Sequence, residues 1–247
     1  MKILMITRKF STDEPTASGV QKYLANLVSR LSQDNEVLML AAARDLHKKN
    51  YSMDIVNESS IKLIKITKNS TPLGNILLDP LSLVRDRKIE GIFLRLIKQE
   101  RPDIVHVHHL GYFSFGVVNA AKQYGIPVVI TLHDFGFICN NIHKYLYIAK
   151  SPNDKNPKTC NPGSEDCAKC FNDYYYRRLR EELSLRFGVL SGVVAFFIKA
   201  INFIRGFTPK KIFQMRSEYS RDALNSASVL LAASESVKKV YSHLIDP

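Results

Sequence analysis

The sequence predicts an α/β fold, a parallel sheet with helices on both faces, from three observations. About six short apolar runs alternate with stretches whose apolar residues fall at helical spacing. One continuous unit, Arg101 to Asp134 (RPDIVHVHHLGYFSFGVVNAAKQYGIPVVITLHD), reads as strand, helix, strand. A hydrophobic content of 45% supplies a core, and a charged content of 23% is ordinary for a soluble protein. Consecutive strands joined by a helix are expected to be parallel. In an open parallel sheet, ligands sit beyond the carboxyl ends of the strands. In the 101–134 unit those ends carry His108, His109, His133 and Asp134.

Taken in order, Lys2 to Thr7 (KILMIT) is a buried first strand, and Arg8 to Ala17 is a polar loop containing Pro15. Ser18-Gly19 opens a helix in which Val20, Tyr23, Leu24, Leu27, Val28 and Leu31 form an apolar stripe. Ser18 is its cap, with Gln21 as the reciprocal capping-box partner. A strand, a glycine-containing loop and a helix N-terminus together offer backbone N–H groups to a phosphate or other anion. The alternative is that Gly19 only permits close packing. The loop has neither the three glycines of a dinucleotide fingerprint nor a P-loop lysine pattern. Glu36 to Ala43 is the second strand, and Arg44 to Ser60 reads as polar and irregular. Ile61 to Thr67 (IKLIKIT) alternates, as a strand with one wet face towards a sheet edge does. Asn69 to Pro80 reads as a loop. Ile89, Ile92, Phe93, Leu96 and Ile97 mark a helix ending before Pro102.

In the 101–134 unit, IVHV is a strand in which His106 reads as structural. Phe113 to Tyr124 is a helix stopped by Gly125-Ile126-Pro127, and VVITL is the next strand. Ser228 to Ala233 is a last short strand. Ser234 caps a final helix with the stripe Val237, Val240, Tyr241 and Leu244. The chain is expected to be a single domain over 1–247, with an insertion at 135–216.

That insertion has two parts. The loop 135–171 holds Cys139, Cys160, Cys167 and Cys170, of which only the last two have Cys-x-x-Cys spacing. A close pair with two distant thiols fits a tetrahedral zinc site, and unrelated reduced thiols are the alternative. The segment 172–216 contains Phe187 to Ile198, twelve residues without a charge. From Tyr176 to Arg216 there are nine Lys or Arg against two Glu. An apolar helix bracketed by cations suits the surface of an anionic membrane. A helix docked on the core or on a partner is the alternative.

The net charge of +12 favours anionic partners. No aromatic-basic recognition motif accompanies it, so a nucleic acid is not expected as partner. Ile3 to Ile6 runs straight into Thr7-Arg8-Lys9 with no cleavage site, unlike a signal peptide. The expected location is therefore the cytoplasm, at the inner face of the cell membrane if the basic segment binds there. No apolar run approaches the roughly 20 residues needed to span a bilayer.

Five pieces in order, KILMIT, SGVQKYLANLVSRLSQDNEVLML, RPDIVHVHHL, GIPVVITLHD and SASVLLAASESVKKVY, resemble the N-terminal half of glycosyltransferase family 4, a family with the GT-B fold. HDFGFIC and CAKCFNDYYYRR are similar to a cysteine pattern in a subset of that family. The first loop departs from the family, having Ser18-Gly19 where two adjacent glycines are common. The resemblance implies a Rossmann-like N-terminal domain that binds the acceptor. It also implies a C-terminal domain that binds a nucleotide-sugar donor and supplies a Glu-x7-Glu pair. No such domain follows within the 247 residues, so the chain is expected to need a C-terminal domain or a partner subunit. No catalytic metal is expected.

By position, the resemblance places Gly19, with Ser18, facing donor phosphates or acceptor, and His133 beside the transferred sugar. Asp134 would orient that imidazole or accept an acceptor hydroxyl. His109 matches a cleft-lining position, with a satisfied loop histidine as the alternative, and Arg8 is a candidate counter-charge. The implied activity is retaining transfer of a sugar to a glycan or lipid-linked acceptor in cell-surface polysaccharide synthesis. The competing reading is a non-catalytic, metal-stapled α/β module that binds an anionic membrane or a partner subunit.

Overall fold

The computed structural model of the chain describes residues 1–10, 18–43, 45, 47–58, 61–68, 84–111, 113–139, 167, 169–170, 180, 183–184 and 187–242. The chain divides into two compact units. One comprises Met1–Asn69, Asp86–His133 and Arg221–Pro247, and the other comprises Ser70–Arg85 and Asp134–Ser220.

The first unit is an α/β sheet of seven strands: β1 (Lys2–Thr7), β2 (Glu36–Ala43), β3 (Met53–Glu58), β4 (Ile61–Thr67), β5 (Ile104–Val107), β6 (Val128–Leu132) and β7 (Val229–Ala232). Their spatial order is β3-β4-β2-β1-β5-β6-β7. Every pairing is parallel except that of β3 with β4. Successive side chains of a strand point to opposite faces. In β1, Ile3 and Met5 join a core with Leu24 and Val28 of the helix α1 (Gly19–Leu31), while Leu4 and Ile6, on the opposite face, are fully buried. Burial on both sides is why the central strands read as unbroken apolar runs rather than alternating ones.

The expected strands and helices are present, with three differences, one of which is the helix Pro209–Ser226, not expected from the sequence. The segment read as irregular contains β3, an edge strand pairing from Met53 opposite Ile66 to Glu58 opposite Ile61. Its sequence, MDIVNE, sets two β-branched residues among Asp, Asn and Glu. Met53, Ile55 and Val56 are exposed, so no core face imposes a pattern on it. β4 consequently lies one strand in from the edge. The helix expected from Phe113 begins at Gly116, forming α3 (Gly116–Gln123). The Ser114 hydroxyl donates to the buried Glu90 carboxylate at 2.6 Å and accepts the Gly116 N–H at 3.0 Å. That polar knot occupies the turn where the helix was expected to start.

Glu90 lies on α2 (Arg87–Glu100), which Asp86 caps through the N–H groups of Lys88 and Ile89. A Cβ on Gly116 would overlap the Glu90 carboxyl group, whereas one on Gly91 would meet nothing nearer than 4.0 Å. Gly116→Ala should therefore destabilise the fold by about 1–2 kcal/mol in urea denaturation. Gly91→Ala, in α2 beside Glu90, should be neutral or stabilising. Equal effects from the two substitutions would refute the Glu90 contact as the cause.

In the second unit a 3-10 turn, Gly188–Leu190, leads into α4 (Ser191–Ile204). Ile198 packs with Val84, Leu183, Ile212 and Phe213, the last two from α5 (Pro209–Ser226). No helix among the described residues is long and apolar enough to cross a membrane. Arg216, counted above among the cations flanking the apolar segment, is 6% exposed and donates to the carbonyls of Gly136 and Phe137. It is not available to a headgroup. The final helix, α6 (Glu235–Tyr241), is capped as expected by Ser234 through the Val237 N–H.

Candidate functional site

The strand order sets the position of the site. From β1 the chain proceeds outward to β2 and β4, then returns to β5 on the other flank of β1 and continues to β6. The loops after β1 and β5 diverge at this switch point, where open α/β sheets place their ligands. Both loops are pinned to the same strand end, because the His108 N–H donates to the Ile6 carbonyl at 2.8 Å.

Three histidines gather there. His106, in β5, pairs through Nε2 with the Thr131 hydroxyl of β6 at 2.8 Å. His108 Nδ1 lies 3.1 Å from His133 Nε2. The His106 and His108 rings are 4.0 Å apart at their centroids, and those of His108 and His133 are 5.4 Å apart and stacked. Tyr23 of α1 sets its ring edge-on to His133 at 5.1 Å. Parallel register places β5 beside β6, and that is what brings residues 25 positions apart into contact.

His106 and His108 are neutral near pH 7. Burial, with the charge of His133 adding, lowers the His106 pKa to about 4. Burial, followed by the charges of His106 and His133, lowers that of His108 to about 2. One hydrogen therefore lies between His108 and His133. His108 Nε2 is buried with no hydrogen-bond partner. A buried bare nitrogen is tolerated better than a buried unpaired N–H. This favours His108 donating from Nδ1 to His133 Nε2.

The sequence-derived candidates fall as follows. The Ser18–Gln21 capping box is formed, with the Ser18 N–H donating to the Gln21 side-chain oxygen at 2.9 Å and the Gln21 N–H to the Ser18 hydroxyl at 3.4 Å. A Cβ on Gly19 would meet nothing within 4 Å. Among the described residues, then, nothing packs against that glycine closely enough to require it. His109 accepts the Gly111 N–H at Nδ1, 2.8 Å away, as a loop histidine does. A Cβ on Gly111 would meet that ring at 2.5 Å and Arg8 Cδ at 3.4 Å, so Arg8 and His109 flank one turn. Asp134 accepts the Gly136 N–H at 2.7 Å and so closes the turn that follows β6.

The sequence places His108 at the ligand-side strand ends but does not single it out as a site residue, and it gives no sign of Tyr23 as a member of the cluster. The His-x-His-His spacing of 106–109 was the available signal for the first. Tyr23 was counted with the apolar stripe of α1, yet it is 43% exposed and meets the histidines instead.

Cys139, Cys167 and Cys170 are half-buried thiols, not joined in disulfides. Cys160 lies outside the described residues. Among the described residues no group of three His, Cys, Asp or Glu suits a metal ion, which leaves the zinc reading without support.

Comparison with protein families matches residues 17–160, more than half of the chain, to Glycosyltransferase Family 4. No curated protein matches the chain. Among solved structures, an α,α-trehalose-6-phosphate synthase from Burkholderia multivorans is 13% identical with a TM-score of 0.35, over 54% of this chain and 34% of that one. A structure of the E. coli trehalose-6-phosphate protein bound with UDP-2-fluoro glucose is 11% identical with a TM-score of 0.35, over 54% of this chain and 33% of that one. A Listeria monocytogenes protein described as a UDP-N-acetylglucosamine 2-epimerase is 12% identical with a TM-score of 0.41, over 100% of this chain and 43% of that one. The chain thus spans less than half the length of each of these structures.

Proposed function

This chain belongs to glycosyltransferase family 4, and we propose that it is the acceptor-binding part of a retaining glycosyltransferase. The reaction moves a sugar from a nucleotide-sugar to a glycan or lipid-linked acceptor, in cell-surface polysaccharide synthesis. A C-terminal donor-binding domain or a partner subunit completes the site. The observation that carries the proposal is the His108–His133 pair at the carboxyl ends of β5 and β6, beside the switch point.

The chemistry asks this chain for position rather than for a nucleophile. In retaining transfer by this family, the departing diphosphate takes the acceptor proton on the face from which it leaves. His133, held in orientation by the His108 contact at its Nε2, is a fixed hydrogen-bonding group for a sugar hydroxyl. The N-terminus of α1 at Gly19, with Arg8 on the loop after β1, supplies favourable potential for an anionic group.

The test is His133→Ala in an enzyme that includes a donor-binding domain. Turnover should fall by about tenfold or more, with the urea midpoint unchanged. Unchanged turnover would remove His133 from the site.

A further inference from the structure

We propose that the outward face of α4 is a docking surface for an anionic lipid bilayer, on which the helix lies in the interface without crossing it. The proposal concerns attachment rather than sugar transfer, and it stands or falls separately from the reading above.

The helix has no polar side. SGVVAFFIKAINFI contains one charged residue, Lys199. At 100° per residue, Ile198 and the buried Asn202 lie on one side, where Ile198 meets the core of the second unit with Val194 and Ala195 at its margins. The opposite arc carries Val193, Phe196, Phe197, Phe203 and Ile204, of which Phe196 is 68%, Phe203 72% and Ile204 82% exposed. Val189 and Leu190, in the preceding turn, extend the apolar surface. Single exposed apolar residues are ordinary, but a contiguous set of large ones marks an interaction site.

Charge identifies the occupant. From Phe187 to Ser217 there is no Asp or Glu. Lys199, Arg205, Lys210 and Lys211 are all exposed within that stretch. The Arg205 guanidinium lies over the Phe207 ring at 5.6 Å, so the cationic rim adjoins aromatic surface. A bilayer with anionic headgroups offers acyl chains for the centre of such a patch and phosphates for its rim. A second copy fits less well, because a two-fold contact places the same cations against one another. Crossing is excluded by length and by commitment. Fourteen helical residues reach about 21 Å against a hydrocarbon core of about 30 Å, and the Ile198 side is already packed against protein.

The chain has no tryptophan, so Phe196→Trp gives a single reporter on the proposed face. Its emission should move to shorter wavelength on adding vesicles of phosphatidylcholine with about 30 mol% phosphatidylglycerol, and much less with phosphatidylcholine alone. Co-sedimentation of the unmodified chain with the anionic vesicles should fall by about tenfold in Phe196→Ser/Phe203→Ser. It should fall similarly in Lys199→Glu/Lys210→Glu/Lys211→Glu and in raised salt. The lysine variant alters only exposed positions, so it tests the rim even where the phenylalanine variant folds poorly. Absence of vesicle binding by the unmodified chain would overturn the proposal. So would binding that neither variant weakens. A vesicle-free dimer on size exclusion that Phe196→Ser/Phe203→Ser abolishes would give the face to a second copy instead. No sugar enters these measurements, so their failure leaves the glycosyltransferase reading untouched.

Discussion

Folding stability should drop as pH falls from about 6.5 towards 4, with a slope set by the buried histidines. His106 and His108 have folded pKa values of about 4 and about 2, both lowered foremost by burial. Below the ordinary histidine value the unfolded chain takes up protons that the folded chain refuses. The stabilisation is therefore complete above about pH 6.5 and is lost on acidification, at about 1.4 kcal/mol per pH unit for each histidine. Across its own window His106 alone accounts for about 3 kcal/mol, a large share of the 5–15 kcal/mol that holds an ordinary domain. The lowered carboxylates act at lower pH. Burial raises the Asp86 pKa, but the Lys68 ammonium 2.8 Å away and the cap N–H groups outweigh it. Its contribution is present above the ordinary carboxylate range and lost below it, which separates it from the histidine window. Urea midpoints at pH 7, 6 and 5 should show the slope in the unmodified chain and a slope about one proton shallower in His106→Gln. Identical slopes would mean that His106 titrates as it does in water.

How far the sequence disclosed this site follows from where each signal resides. β1, the α1 capping box and the β5–α3–β6 unit were legible because each is specified locally, by an apolar run, a cap or a glycine-proline stop. The sheet edge was not. β3 gains its place through hydrogen bonds to β4, not through burial, so MDIVNE carries almost no pattern. His133 was legible as a strand-end residue, but its partner depended on register. Only the placement of Val105 opposite Val128 sets His108 against His133. Tyr23 shows the limit of periodicity. It continues the apolar stripe of α1, but α1 overhangs the strand ends at that position, so the ring meets histidines rather than the sheet. Arg216 shows the reverse limit. A basic residue after an apolar helix reads as solvated, and nothing in the one-dimensional pattern says that two carbonyls of the turn after β6 lie within its reach.

Those two carbonyls make Arg216→Ala strongly destabilising, at about 3 kcal/mol. The guanidinium donates from Nη2 to the Gly136 oxygen at 2.5 Å and from Nη1 to the Phe137 oxygen at 3.2 Å. The Ser220 hydroxyl donates to that same Phe137 oxygen at 2.5 Å. Truncation leaves the Gly136 carbonyl without this donor and opens a cavity beneath the turn. Arg216→Lys should recover part of the loss, because an ammonium replaces charge but not the planar fork that serves both oxygens. Arg216→Met restores volume without donors. A smaller loss in Met than in Lys would show that packing, not hydrogen bonding, is what Arg216 supplies. Ser220→Ala should cost about 1 kcal/mol, since Phe137 keeps its bond to Arg216. Backbone amide exchange gives the local measure. Asp134 closes this turn by accepting the Gly136 N–H at 2.7 Å, so Arg216→Ala should release protection at residues 136–139 before the strands of the sheet. Global loss of protection at a single rate would instead make Arg216 a support of the whole fold. The turn that follows His133 would then have no stability of its own to lose.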